Sequence, residues 1–228
     1  MGDTSSQQEP NTTPDPRWQQ AQSHEAGFWR RINPIWAMPR LIRWHSDAFR
    51  TVELFLPDDA RIVEVGCGPT CLSRLFTKGT KVYTDPLMDS YREHAADFLP
   101  EGEKLVAMGE SIPFPDQSFD AAVCLNALDH MSSPEDCLRE LVRVLKPGGR
   151  LVLGMFTRNA TLLALRRVGE RLSAHASSAP HPNTYTYPEL RALLAKHFSL
   201  ESVERVHHTH GLLERFHREY WIFICRTG

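Results

Sequence analysis

The chain has 228 residues, 41 % of them apolar, and a formal net charge of −2. That is enough for one α/β domain with additions, and it leaves no basic excess to hold nucleic acid or an anionic membrane. Five scattered cysteines, Cys67, Cys71, Cys124, Cys137 and Cys225, show no second pair at zinc spacing and read as reduced thiols of a reducing cytosol rather than a metal knot.

The first 23 residues are polar, rich in Gln, Thr, Ser and Pro. Their composition predicts a disordered tail over 1–23. M-G-D-T-S-S-Q-Q-E-P has no basic region followed by an apolar core, so no secretory signal is expected, and no apolar run is long enough to span a membrane. A cytoplasmic location follows as an expectation. From Glu25 to Phe55, Trp29, Trp36, Trp44, Phe28, Phe49 and Phe55 sit among arginines and are broken by Pro34 and Pro39. This predicts two or three short helices forming an N-terminal cap or lid over 24–57.

Strand and helix patterns then alternate. Strand-like runs are Arg61–Val65, Lys81–Asp85, Lys104–Met108, Phe119–Asn126, Arg150–Phe156, Leu200–His207 and Glu219–Arg226. Helix-like runs lie at Cys71–Lys78, Leu87–Phe98, Pro134–Leu145 and Pro188–His197. A-A-V-C-L and L-V-L-G-M-F are continuously apolar, as in strands covered on both faces. The alternation predicts a Rossmann-like, doubly wound parallel sheet over 58–228. The last two runs lack a full crossover helix between them, which allows antiparallel pairing at one edge. K-P-G-G, residues 146–149, reads as a turn between a helix and the fifth strand.

R-I-V-E-V-G-C-G-P-T, residues 61–70, ends a strand in two glycines. Glycine there lets a ligand lie against the backbone. About twenty residues on, Asp85 closes the second strand, where an acid binds the hydroxyls of an adenosine ribose. A dinucleotide fingerprint needs a third glycine, but that position is Cys71. Glu64, just before the turn, would repel a pyrophosphate and would suit a ligand carrying an ammonium or sulfonium charge.

V-E-V-G-C-G-P-T resembles the first motif of class I S-adenosylmethionine (SAM)-dependent methyltransferases, and T-D-P-L their second-strand acid. G-E-S-I-P-F-P-D-Q-S-F-D-A-A-V-C and H-M-S-S-P-E-D-C-L-R-E-L-V-R-V-L-K-P-G-G-R-L-V-L are similar to the small-molecule branch called methyltransferase type 11. The resemblance implies seven strands with the last one antiparallel, and SAM as co-substrate. It implies that Glu64, Gly66, Cys67 and Gly68 line the methionine part, and that Asp85 holds the ribose. Pro86 and Leu87 would lie beside the adenine, Gly109 and Glu110 at its edge, and Asn126 beside the sulfonium. Met108 stands where the family commonly has an acid for the adenine amino group.

Methyl transfer to a hydroxyl or a weakly acidic carbon needs a base. Asp129 and His130 follow the fourth strand, and His130 is equally explained as packing under the next helix. In H-H-T-H, residues 207–210, His208 is carried as an acceptor-facing base beside His207 and His210, with His217 further on. No Asp or Cys completes a metal spacing there, so no metal is expected. An acceptor-side insertion is expected at about 157–187, and the acceptor is expected to be a small molecule. Trp29, Trp36 and Trp44 are candidates to wall a planar acceptor, and Arg30, Arg31, Arg40 or Arg43 to hold an anionic one. The sequence leaves open whether the protein is a monomer or a homodimer. Two other readings remain: a catalytically weak SAM-binding module, and an NAD(P)-dependent oxidoreductase.

Overall fold

R-I-V-E-V forms β1 (Arg61–Val65), a strand whose last four residues are all buried. Such a strand must be covered on both faces, and β1 lies inside a seven-stranded sheet. The computed structural model describes residues 16–31, 33–164, 182–206 and 218–228. Beside β1 on one side lie β2 (Thr80–Thr84) and β3 (Glu103–Leu105), and on the other β4 (Phe119–Leu125) and β5 (Leu145–Arg158). All of these pairs are parallel. β7 (Arg218–Arg226) inserts antiparallel between β5 and β6 (Ser199–Val206), giving the order β3-β2-β1-β4-β5-β7-β6.

Two layers cover the sheet. On one face α2 (Met38–Glu53) buries Leu41, Trp44, His45, Ala48, Phe49 and Val52, an i, i+3, i+4, i+7 stripe. They pack on Ile62, Ala121, Val123, Val152, Ile222 and Ile224. On the other face α4 (Pro134–Val144) and α5 (Tyr187–Ala195) contribute Leu138, Leu141, Leu190 and Leu194. Ser133 caps α4, and Thr186 with Glu189 forms a capping box on α5. α3 (Met88–His94) follows β2.

The strands fall close to their sequence expectations, with two differences around the helices and one at β5. The expected helix Cys71–Lys78 is only a 3-10 turn, Leu72–Leu75. Cys71 enters it left-handed at φ 45°, and Phe76 leaves in an extended conformation to lie 4.8 Å from Phe49 of α2, centroid to centroid. α2 thus occupies the sheet face a longer crossover helix would need. The second difference is α1 (Pro16–Arg31), which begins inside the segment expected to be a tail. Trp18, Gln22, Glu25, Phe28 and Trp29 recur at helical spacing and line one cavity. The helix is therefore held by tertiary contact that composition does not reveal. β5 begins at Leu145, so K-P-G-G lies within its start as an irregularity with Gly148 at φ 74°. No helix among the described residues is long and apolar enough to cross a membrane.

Candidate functional site

The chain leaves β1 by a turn in which Gly66 N and Cys67 N both donate to Thr84 O, at 2.8 and 3.2 Å. Gly66 has φ 66°, and a Cβ there would lie 2.3 Å from that of Ala127. Only glycine fits, because the exit of β4 passes against it. Asp85 follows β2 and turns back to the same turn. Its Oδ2 accepts from Gly68 N at 2.9 Å and its Oδ1 from Leu87 N at 2.8 Å. Burial pushes its pKa up to about 6, against the pull of those two N–H groups.

Glu64 is also buried, and burial pushes its pKa up to about 7. Its carboxylate accepts from Leu72 N at 2.9 Å and Ser73 N at 2.7 Å. It therefore ties the 3-10 turn to β1 while still contributing to the cavity wall. Cys71 is fully buried and left-handed, so this chain accommodates a side chain at the third fingerprint position. Burial, and then the Cys71 thiol, push the Cys67 thiol well above its ordinary pKa, which makes it a protonated wall and not a nucleophile.

These groups open onto a cavity of about 640 Å³. Gly66, Cys67, Gly68, Asp85, Pro86 and Leu87 form one end, with Met108, Gly109 and Glu110 alongside. Glu110 Oε1 accepts from Ser132 N at 2.6 Å, Ser132 Oγ at 2.8 Å and Ser133 N at 3.1 Å, so it anchors the start of α4. A Cβ on Gly109 would meet Met131 and Cys137 within 2.9 Å, which explains the glycine. α1 closes over this end. The Trp29 indole lies 3.7 Å from where a Gly68 Cβ would be, and its Nε1 donates to Glu25 at 2.7 Å.

Asn126 lines the cavity at φ 52°, left-handed, as short polar side chains tolerate. Its orientation is set from behind. His45 is fully buried, with Nδ1 2.8 Å from Leu41 O and Nε2 2.8 Å from the Tyr220 hydroxyl. A carbonyl only accepts, so Nδ1 carries the proton and Nε2 accepts from Tyr220. Burial holds the imidazole neutral, with its pKa lowered to about 4. Tyr220 has one proton and donates it to His45, so its hydrogen bond with the Asn126 side chain must be donated by the Asn126 amide. The Asn126 carbonyl Oδ1 is buried and without a hydrogen-bond partner among the described residues, in a residue that lines the cavity.

Asp129 and His130 both line the cavity beyond Asn126, with His130 Nε2 4.0 Å from Asp129 Oδ1. Asn183, from the end of the expected insertion, docks on the same turn: its N donates to Asp129 O at 3.1 Å and its Nδ2 to Met131 O at 2.6 Å. His208 lies outside the described residues, as do His207, His210 and His217. Of the candidates to wall or hold the acceptor, Trp29, beside Gly68, and Trp36 and Arg40 line the cavity, joined by Phe156 and Arg218. Arg30, Arg31 and Arg43 do not, and Trp44 acts from behind Phe156. His45, Tyr220 and Arg218 carry no local sequence signal, since each meets its partners only through the sheet.

Residues 63–153 match the family model of the methyltransferase domain. The chain is 34 % identical over 116 residues to a ubiquinone biosynthesis O-methyltransferase of Xanthomonas oryzae pv. oryzae, covering 48 % of this chain and 48 % of that one. It is 32 % identical over 149 residues to an uncharacterized methyltransferase of Mycobacterium bovis, covering 64 % and 60 %. The chain thus spans about half the length of the first of these relatives. A SAM-dependent methyltransferase from Methanosarcina mazei shares the fold, with a TM-score of 0.60 at 20 % identity over 78 % of this chain and 96 % of that one.

Proposed function

We propose, from the match of residues 63–153 to the methyltransferase domain, that the protein transfers a methyl group from SAM to a small-molecule acceptor and releases S-adenosylhomocysteine. The observation that carries this reading is the single cavity running from Gly66, Gly68 and Asp85 past Asn126 and Asp129 to Phe156 and Arg218. It has a nucleoside end and an acceptor end, and Asn126 and Asp129 stand between them.

The nucleoside end fits its ligand on physical grounds. The glycine turn offers bare backbone, and Asp85, which accepts from Gly68 N, Leu87 N and the Tyr91 hydroxyl, has one carboxylate lone pair left for a ribose hydroxyl. Pro86, Leu87, Met108 and Gly109 give an apolar slot for the adenine. Glu25, Glu64, Asp85 and Glu110 surround this end with carboxylates, which suits a ligand carrying ammonium and sulfonium charge. SAM supplies an electrophilic methyl: the S–CH3 bond breaks with its electron pair left on sulfur, and the acceptor's lone pair forms the new bond. The chain's own part is alignment and exclusion of water. Asn126 Oδ1 accepts an O–H or N–H of the acceptor, and Asp129, with His130 beside it, receives the proton the acceptor gives up. The acceptor is small in this reading because α1 covers the cavity. The ubiquinone biosynthesis O-methyltransferase among the relatives, named for a small-molecule pathway, supports the same class.

Titrating S-adenosylhomocysteine calorimetrically into the wild-type protein and Asp85→Ala, with NAD as control, tests the reading. Loss of a hydrogen bond to a charged group should weaken binding about tenfold or more. Absence of nucleoside binding, or preference for NAD, would overturn it.

A further inference from the structure

The far end of the cavity differs from the nucleoside end in charge. Arg40, from α2, and Arg218, at the start of β7, both line it. The Arg40 guanidinium carbon lies 5.2 Å from the centroid of Trp44, and that of Arg218 5.5 Å from the centroid of Phe156. Trp44 and Phe156 are themselves edge to face at 6.4 Å, and both pack on Tyr220, at 5.2 and 4.8 Å. Two elements 178 residues apart in the chain, counting from Arg40 to Arg218, thus bring two guanidinium groups onto one aromatic cluster. Neither makes an ion pair among the described residues.

A guanidinium resting on an aromatic face is held in orientation and keeps its N–H fork free. Two such forks lining one open cavity match a carboxylate or phosphate, which arginine binds in a bidentate manner. The rings beside them, Phe156 and the exposed Trp36 at the rim, offer flat apolar walls. The cavity is therefore polarised along its length. Carboxylates from Glu25, Glu64, Asp85 and Glu110 stand at the nucleoside end, and Arg40 and Arg218 stand at the other.

We infer that the methyl acceptor is a planar, anionic molecule, with its ring against Phe156 and Trp36 and its carboxylate or phosphate between Arg40 and Arg218. The inference rests on the methyl-transfer reading and sharpens its substrate class. It also accounts for the polarity of the cavity. An anionic acceptor and a cationic methyl donor are each drawn to opposite ends, and the reacting groups meet at Asn126 and Asp129.

The test uses the full chain saturated with S-adenosylhomocysteine and three probes of one shape: 2-naphthoate, 2-naphthyl phosphate and 2-naphthamide. Binding is followed by saturation-transfer NMR and calorimetry. At least one anion is expected to bind about tenfold more tightly than the neutral amide. Preference between the two anions distinguishes a carboxylate from a phosphate acceptor. Arg40→Gln and Arg218→Gln should each weaken the preferred anion about tenfold and leave the amide unaffected. S-adenosylhomocysteine affinity, measured in the same variants, reports whether the nucleoside end remains folded. If the nucleoside binds but the amide binds as well as the anions, or no probe binds, or the arginine variants bind the anion normally, the inference is wrong and the methyl-transfer reading stands. If the nucleoside itself does not bind, both fall together.

Discussion

Gly154 on β5 makes room for the hydroxyl of Tyr220 on β7: a Cβ at residue 154 would lie 2.2 Å from that oxygen. The two strands pair antiparallel, and this missing side chain lets the phenol reach both His45 and Asn126. Gly154→Ala should displace the ring and cost about 1–3 kcal/mol of stability, as overpacking of a filled core does. Tyr220→Phe should cost a similar amount by a different route, since it leaves His45 Nε2 buried without a donor. Urea denaturation checks both. A neutral Tyr220→Phe would show that the His45–Tyr220 contact contributes nothing to the fold.

The His45 imidazole links this arrangement to pH. Its folded pKa of about 4 lies below the ordinary 6.5, so the unfolded chain takes up a proton in that interval and the folded chain does not. The stability tied to His45 is complete above pH 6.5 and declines as pH falls towards 4, by about 1.4 kcal/mol per unit. Glu64 and Asp85 act in the opposite sense. Burial raises them to about 7 and about 6, so the stability tied to each grows as pH falls through those values. The wild type alone would show only the balance. The difference between wild type and His45→Gln isolates the imidazole, and that difference should shrink as pH falls from 6.5 to 4. A difference independent of pH would mean that the imidazole titrates alike in both states.

Asp85 predicts the pH dependence of nucleoside binding. Its carboxyl accepts from a ribose hydroxyl more strongly when ionised, and in the free protein it protonates near pH 6. S-adenosylhomocysteine affinity should therefore be level above pH 7 and fall about tenfold by pH 5. Asp85→Asn should bind weakly at every pH. Calorimetry across that range decides it: an unchanged affinity at pH 5 would remove Asp85 from the site.

Gly66→Ala tests the turn itself. The new methyl would collide with Ala127 at 2.3 Å and would impose an alanine on φ 66°. A loss of about 1–3 kcal/mol in stability and of detectable nucleoside binding is expected. Gly148→Ala is the control, because its φ is also positive, at 74°, but no atom lies within 4 Å of its Cβ position. It should lose stability only and bind the nucleoside normally.

What the sequence disclosed follows from distance along the chain. Gly66, Gly68 and Asp85 were legible because one turn and one strand end carry them, at a spacing the fold requires. The strands were legible because fully buried strands are apolar without interruption. The Cys71–Lys78 helix was misjudged because its fate depends on Phe76 meeting Phe49, a contact made by another element. The second half of α1 falls in the segment expected to be helical, and its first half, residues 16–23, reads as tail for the same reason: those residues have a tail's composition until the cavity they cover exists. His45 and Tyr220 stand 175 residues apart, so no local pattern announces their hydrogen bond.

The position of β7 has a consequence for how the protein is made. Among the described residues β6 pairs with no strand but β7, which follows it in the chain. During synthesis from the N-terminus, β6 emerges with no strand to pair with and must wait for its neighbour. The same late strand carries Tyr220, so the hydroxyl that orients Asn126 also arrives last. The nascent chain can form β1 to β5 and the glycine turn early, but it gains a finished reaction chamber only when β7 pairs with β5 and gives β6 its partner. A ribosome-bound chain halted before Arg218 should therefore hold its nucleoside turn with the acceptor end still open.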